Sequence, residues 1–291
     1  MRSFIILSIS LLFFCMNLML SHFIAKDLKR DFSESYLLLN KAALIAVPRD
    51  IHFGTSDMNF VNTLSFIGYS LDVGRGHINR KVALKVYTSL DAITTYNPRY
   101  FDPYYVANAF LTWDVGLYEE AITLLKRGMV HIDDWRIPFY IGFIYFYFLN
   151  DNLNGAEYLK IAARHPSARE YNLLPLLASR LYYEEGKYEL AIILLREQLR
   201  IMKDENMKKA VASRLKTLQT AYEISKAIDQ FRLKFGRNPK SIEELETAGL
   251  IPKGLKDSAG GKFYITPDGK VRSESELFPI KKKLLEERRR M

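Results

Sequence analysis

Cysteine is all but absent. Cys15 is the only one in 291 residues, so neither an intrachain disulfide nor a zinc site of several thiolates can form, and the fold must stand on packing. The five histidines, His22, His52, His77, His131 and His165, show no pairing at metal-ligand spacing. HEXXH and GXSXG patterns are missing. Two stretches imitate phosphate loops but lack the residues those loops need. GRGHIN, from Gly74, has Asn79 where a third glycine belongs, and GLKDSAGGKF ends on Phe263 where Ser or Thr is required. These gaps point away from an enzyme, and no catalytic residue, cofactor or metal site is assigned. Acidic excess is also lacking: 42 Lys and Arg stand against 33 Asp and Glu, a net charge of +9. The surplus is diffuse except in the closing FPIKKKLLEERRRM, which suits acidic headgroups or a plain solvated helix end diluted by Glu286 and Glu287. With no basic face gathered on one element, nucleic acid is not an expected partner, and no small-molecule substrate is evident.

What is abundant is apolar and aromatic. The chain is 48% hydrophobic, with 18 Tyr and 18 Phe, an ordinary globular balance that can bury a sizeable core. Residues 3–25, SFIILSISLLFFCMNLMLSHFIA, form an apolar run of 23, with Arg2 before it and Lys26, Lys29 and Arg30 after it. A spanning helix needs about 20 such residues. A cleaved signal peptide would want a small residue where Phe23 stands. A lipoprotein signal centred on Cys15 would want small residues in place of Phe13 and Phe14. An uncleaved transmembrane anchor fits best. The expected placement is then single-pass in a bacterial inner membrane, with the bulk of the chain periplasmic, although bases flank both sides.

Three segments keep a fixed step of 35: GLYEEAITLLKRG from Gly116, DNLNGAEYLKIAA from Asp151 and GKYELAIILLREQ from Gly186. Ala121, Ala156 and Ala191 coincide, as do Tyr118, Leu153 and Tyr188. An apolar, aromatic-rich helical stretch precedes each segment, and a helix stop follows it. Two helices meeting at a tight turn, with a small residue at the crossing, cannot bury their apolar face alone, so pairs stack. In this scheme IPFYIGFIYFYFLN, residues 137–150, is the first helix of the middle pair. At 14 residues it is too short to cross a bilayer. VALKVYTSLDAITTYNP, with NFVNTLSFIGYSLDV before it, reads as a weaker preceding repeat.

The turn glycines (Gly116, Gly186), the aromatic after each (Tyr118, Tyr188) and the alanine of the second helix resemble the tetratricopeptide repeat over residues 102–203. The family's helix-A Trp and Leu-Gly are replaced by Tyr105, Asn108 and Ala109. The resemblance implies a curved stack whose first helices line a concave groove. By register the lining is Val106, Phe110 and Trp113, then Ile141, Tyr145 and Phe148, then Leu176, Arg180 and Tyr183. A spacing of four then three puts each trio on one helical face. Such a groove suits an extended or helical peptide. The same aromatics could equally pack against the chain's own residues 31–75.

After a long helical pattern over 205–235 comes FGRNPKSIEELETAGLIPKGLKDSAGGKFYITPDGKVRS. Ser241 and Glu244 read as a capping box, Gly249 as a helix stop, and KFYIT with KVRS as a hairpin about Pro267–Asp268–Gly269. This tail resembles the C-terminal part of pseudopilins of type II secretion and type IV pili, an ending that also occurs on membrane-anchored tetratricopeptide proteins of bacterial envelope clusters. Asp257 and Asp268 alone are too few for the calcium that pseudopilins can hold.

The expected fold class is thus all-α: a tetratricopeptide-like α-solenoid with an N-terminal transmembrane helix and a small C-terminal β-hairpin. The expected segments are an anchor (1–30), a helical region with a degenerate repeat (31–100), helical repeats (101–235) and a pseudopilin-like motif with a basic tail (236–291). The expected role is a membrane-anchored scaffold for protein–protein interaction in envelope, pilus or secretion-system assembly. The alternatives are a chaperone or quality-control adaptor, or a membrane-tethered enzyme built on His52, Asp57, Asp72 and His77.

Overall fold

The structure is a computed structural model and describes residues 38–48, 51–74 and 76–275. The chain divides into two compact units, Met1–His131 and Ile132–Met291.

The described part of the first unit is helical: α1 (Lys41–Ile45), α2 (His52–Val73), α3 (Arg80–Tyr96), α4 (Phe101–Val106), which runs on as a π-helix over Ala107–Asp114, and α5 (Tyr118–His131). Asn40 and Asn79 start α1 and α3. Their side chains accept from the amides of Ala43 and Val82, each at 2.9 Å, satisfying N–H groups that a helix start leaves orphaned. Helix α3 is the hub, packing against α1, α2, α4 and α5. Val86, Leu90 and Ile93 on it are fully buried. An ionic knot fastens these helices. Asp91 of α3 takes Arg127 of α5 at 2.7 Å and Lys41 of α1 at 2.8 Å, and Arg127 also donates to Thr94 Oγ1 at 2.7 Å.

The second unit is a run of helices, each packed on the next: α6 (Arg136–Phe143, continued as a π-helix over Ile144–Phe148), α7 (Asn152–Arg164), α8 (Leu173–Glu184), α9 (Tyr188–Ile201) and α10 (Glu205–Phe235). A short α11 (Ile242–Thr247) and an antiparallel hairpin, β1 (Phe263–Ile265) and β2 (Val271–Ser273), complete it. Residues 102–203 are helices joined by short connections, with no strand. Ala121, Ala156 and Ala191 lie on α5, α7 and α9 and are fully buried.

The turns depart slightly from the fixed step. The first helix of each pair ends on a residue in the left-handed region: Gly116 (φ 69°), Asn150 (φ 54°) and Gly186 (φ 69°). The middle turn comes one residue before Asp151, because asparagine tolerates this conformation nearly as glycine does. Counted from its helix start, Gly155 therefore holds the place of Ala121 and Ala191. The packing agrees. A Cβ at Gly155 would lie 2.9 Å from Phe146 Cβ, and one at Gly142 would lie 2.9 Å from Leu159 Cγ and 3.0 Å from the Gly155 carbonyl. Helices α6 and α7 cross glycine to glycine, backbone against backbone.

Two expectations are corrected here. The transmembrane helix at residues 3–25 lies outside the described residues, and among those that are described no helix is long and apolar enough to cross a membrane. The longest, α10, is amphipathic: Val211, Leu218 and Ile228 are buried among exposed Lys and Glu. The fold is therefore all-α packing consistent with a helix solenoid, with a small two-stranded hairpin. The transmembrane element of the fold class, the inner-membrane placement with periplasmic bulk and the membrane as a partner are withdrawn. The capping box also forms only in part. Ser241 makes no side-chain cap bond, and Glu244 reaches back to the Lys240 amide (3.0 Å) and to Arg237 (2.8 Å).

Gly155→Ala is expected to destabilise the second unit by about 1–3 kcal/mol, because the added methyl overpacks a backbone contact that cannot yield. Thermal unfolding followed by circular dichroism checks this. An unchanged midpoint would mean that the crossing is looser than described.

Candidate functional site

IPFYIGFIYFYFLN supplies most of α6 and its π-helical extension. Its aliphatic residues turn inward: Ile137, Ile141 and Ile144 are fully buried. Its rings do not. Trp135, Phe139, Phe143 and Tyr147 recur every fourth residue, which places them on one helical face, and all four are half-buried. Each touches the next, with centroids at 5.9 Å (Trp135–Phe139), 6.0 Å (Phe139–Phe143) and 5.1 Å (Phe143–Tyr147). Tyr171, 52% exposed, extends the row beyond Trp135 at 4.6 Å, and Phe148 flanks Tyr147 at 4.9 Å. The result is a ladder of rings about 18 Å long at 1.5 Å per residue.

The electrostatic setting of the ladder is mild. Arg136 grips Asp134 through two nitrogens, at 2.9 and 2.6 Å. Hydrogen bonding from Arg136 holds the Asp134 carboxyl below its usual range, against the opposing effect of burial. His165 Nε2 lies 3.0 Å from Asp133 at the same end. Behind the ladder, Tyr182 is buried and donates to Glu157 at 2.6 Å, which pushes its hydroxyl pKa well up through burial and the neighbouring carboxylate.

The nine residues expected to line a groove have unequal fates. In the first unit Phe110 is 3% exposed and Val106 half-buried, while Trp113 is 54% exposed. In the second unit Ile141 is fully buried, and Tyr145 and Phe148 are half-buried. Tyr145 stacks on Tyr158 at 5.7 Å. Leu176 packs against the core of the unit. Arg180 is buried. Its Nε donates to Glu184 at 2.9 Å, and its Nη1 has no hydrogen-bond partner. Tyr183 is covered by the hairpin: its hydroxyl accepts from the Ser273 amide at 2.9 Å, and the Arg272 guanidinium lies 4.8 Å from its ring centroid. Burial lifts its pKa to about 12. Three of the ladder rungs, Phe139, Phe143 and Tyr147, lie inside the quoted stretch, and Trp135 stands two residues before it. Their period of four was the signal; counting register from the 35-residue step passed over it.

The hairpin is bound to the end of the helical run by more than Tyr183. The Tyr188 hydroxyl donates to the Val271 carbonyl (3.0 Å) and accepts from its amide (2.6 Å). Arg272 donates to the carbonyls of Tyr183 and Glu184, and Lys270 meets Glu185 at 3.0 Å. Asp257 organises the preceding loop, accepting from the amides of Ala259 (2.8 Å) and Gly261 (2.9 Å) and from Ser273 Oγ.

His52, Asp57, Asp72 and His77 do not converge. His52 bonds the Val47 carbonyl at 2.7 Å and packs edge-on to Tyr96. Asp57 and Asp72 both lie on α2, 15 residues apart, or about 22 Å by helical rise. Among the described residues no group of three His, Cys, Asp or Glu could hold a metal ion.

No protein-family model matches the chain, and no curated protein or solved structure matches it. The resemblances to tetratricopeptide repeats and to pseudopilin tails are corrected accordingly. What recurs here is a packing solution, a small residue at each helix crossing, which does not require membership of that family.

Burial opposes ionisation of Asp257, but the hydrogen bonds from Ser273, Ser275 and the loop amides outweigh it and lower its pKa to about 2. A carboxylate depressed on folding adds stability above its unfolded pKa, near 4, and loses it as pH falls through 2. About 2 kcal/mol is expected to disappear over that window at 1.36 kcal/mol per unit. Denaturant melts of wild type and Asp257→Asn between pH 5 and pH 2 check this. Equal slopes would count against the assignment.

Proposed function

We propose that this chain is a helical scaffold without catalytic activity that binds a helix or short peptide of a partner protein on the aromatic face of α6. One observation carries the reading: four rings in mutual contact, half-buried on one face of a helix whose aliphatic residues are already spent on the core. Rows of large rings at helical spacing are the anchor pattern by which amphipathic helices are received in grooves, and aromatic residues dominate the energetics of such contacts. Within the expected lining, Phe148 adjoins the ladder and belongs to the proposed surface, whereas Tyr145 is stacked on Tyr158. Trp113, Val106 and Phe110 belong to the first unit and are left out of it. Ile141, Leu176, Arg180 and Tyr183 are buried or set into the core and are not part of the surface.

Selection of a displayed peptide library on the full chain tests this reading, with counter-selection on Phe139→Ala/Phe143→Ala. The expected outcome is a family of amphipathic helical sequences. Their binding should weaken at least about tenfold in the double variant, as loss of hot-spot contacts requires. In a Trp113→Phe background, Trp135 remains the only tryptophan and should report the same binding by a fluorescence shift. Peptides that bind both proteins equally, or no enrichment at all, would sink the reading.

A further inference from the structure

Helix α3 carries an exposed stripe opposite its buried one. Lys81, Leu84, Lys85 and Thr88 recur at i, i+3, i+4 and i+7, the spacing of a single helical face, and all four are exposed. With Leu38, Asn40 and Phe66 they line a cleft of about 420 Å³, within the size range of small-molecule sites. The walls of this cleft are tied. Leu39, between Leu38 and Asn40, donates its amide to Asn59 Oδ1 at 2.9 Å, and its carbonyl accepts from Asn59 Nδ2 at 3.0 Å. Thr63 bonds Ser89 at 2.7 Å between α2 and α3, one turn before Phe66. On α1, Lys41 meets Asp91 at 2.8 Å, and its carbonyl accepts from the Tyr96 hydroxyl at 3.1 Å. Walls fixed in this way make a preformed cleft rather than a gap between loose side chains.

The lining has one sign of charge. Among the described residues it holds two ammonium groups and no carboxylate. Like charges at i and i+4 repel, and no described residue forms an ion pair with Lys81 or Lys85. Elsewhere Lys160, Lys208 and Lys226 each pair with a glutamate three residues before them. Helix α3 has no glutamate, and its one acid, Asp91, is taken by Arg127 and Lys41. Asn40 spends its Oδ1 on the Ala43 amide, which leaves its Nδ2 to donate. Facing these polar groups are Leu38, Leu84 and the buried Phe66. We propose that the cleft binds a small amphiphilic anion, with a carboxylate or phosphate head between Lys81 and Lys85 and a hydrocarbon tail against Leu38, Phe66 and Leu84. Lysine offers such a head a compact charge with rotatable donors, and its flexible stem lets two ammonium groups converge on one set of oxygens. A cationic amphiphile would be repelled, and an uncharged one would leave the like pair unrelieved. The site lies within the first unit and does not depend on the aromatic ladder.

Octanoate and octyl phosphate are the probes, with octanol, octylammonium and acetate as controls. Calorimetric titration of the full chain is expected to show one site that takes at least one of the two anions and binds every control at least about tenfold more weakly. The tighter of the two anions names the head group. Lys81→Gln/Lys85→Gln should weaken that anion at least about tenfold, because its oxygens lose their charge-assisted bonds, while Lys81→Arg/Lys85→Arg should retain most of the binding. Both lysines are exposed, so all variants are expected to keep the circular dichroism melt of the wild type. Val61→Ser controls for the exposed apolar face of α2, which Val61 shares with Ile51, Phe53, Met58 and Leu64, and should leave anion binding unchanged. No binding of either anion, equal binding of octanol, or a loss in Val61→Ser with none in the glutamine variant would each overturn the proposal. None of these results bears on the ladder of α6, since no residue of the second unit is involved.

Discussion

At the crossing of α6 and α7 two glycines face each other with no side chain between them, and much of the second unit follows from that contact. With Gly142 against the Gly155 carbonyl and Leu159, and Gly155 against Phe146, the two helices meet with no room for a further methyl at either glycine. The aliphatic residues of α6 are small enough to fill the two sides, and Ile137, Ile141 and Ile144 are fully buried there. The four ladder rings lie on a flank, where every fourth residue lines up and each ring is held by its neighbours. The ladder is thus the complement of the tight crossing: dense packing on one face of a helix leaves its large residues on another.

The recurrence of small residues at helix crossings was legible in the sequence because alanine at a fixed step leaves a mark that composition alone does not. The hairpin was legible for a different reason: Pro267–Asp268–Gly269 is turn chemistry, and Gly269 adopts a φ of 79° within the turn. The middle turn was displaced by one residue because asparagine can do the work of glycine. The nine-residue lining was read from register, which places residues on a face but does not say whether that face is open. Burial of Phe110, Ile141, Arg180 and Tyr183 depends on what packs over them, and for Tyr183 that is β2, ninety residues along the chain. No local pattern carries that information.

The two ends of the described structure manage their apolar surface differently. At the C-terminal end the hairpin closes the stack. Tyr188 bonds both backbone groups of Val271, Arg272 takes up two carbonyls at the end of α8, and Tyr183 is buried beneath. A helix end leaves its last carbonyls without partners, and here a guanidinium from a distant strand supplies them. Stacked helix pairs need such closure, since a terminal pair has a neighbour on one side only.

Helix α2, by contrast, carries large apolar side chains on its exposed side as well as its buried one. Its inner face spends hydrogen-bonding side chains on local order: Asn59 fixes the entering backbone, and Thr63 bonds Ser89 across to α3. Phe60, Phe66 and Ile67 share that buried side and carry its apolar burial, and each large apolar side chain on the exposed side would be worth about 1.5–3 kcal/mol if fully covered. Five such side chains on one face are more than scattered surface residues would explain. They flank Gly54 and Gly68, where an added Cβ would meet nothing within 4 Å. The carboxylates at Asp57 and Asp72 select against a like-charged partner.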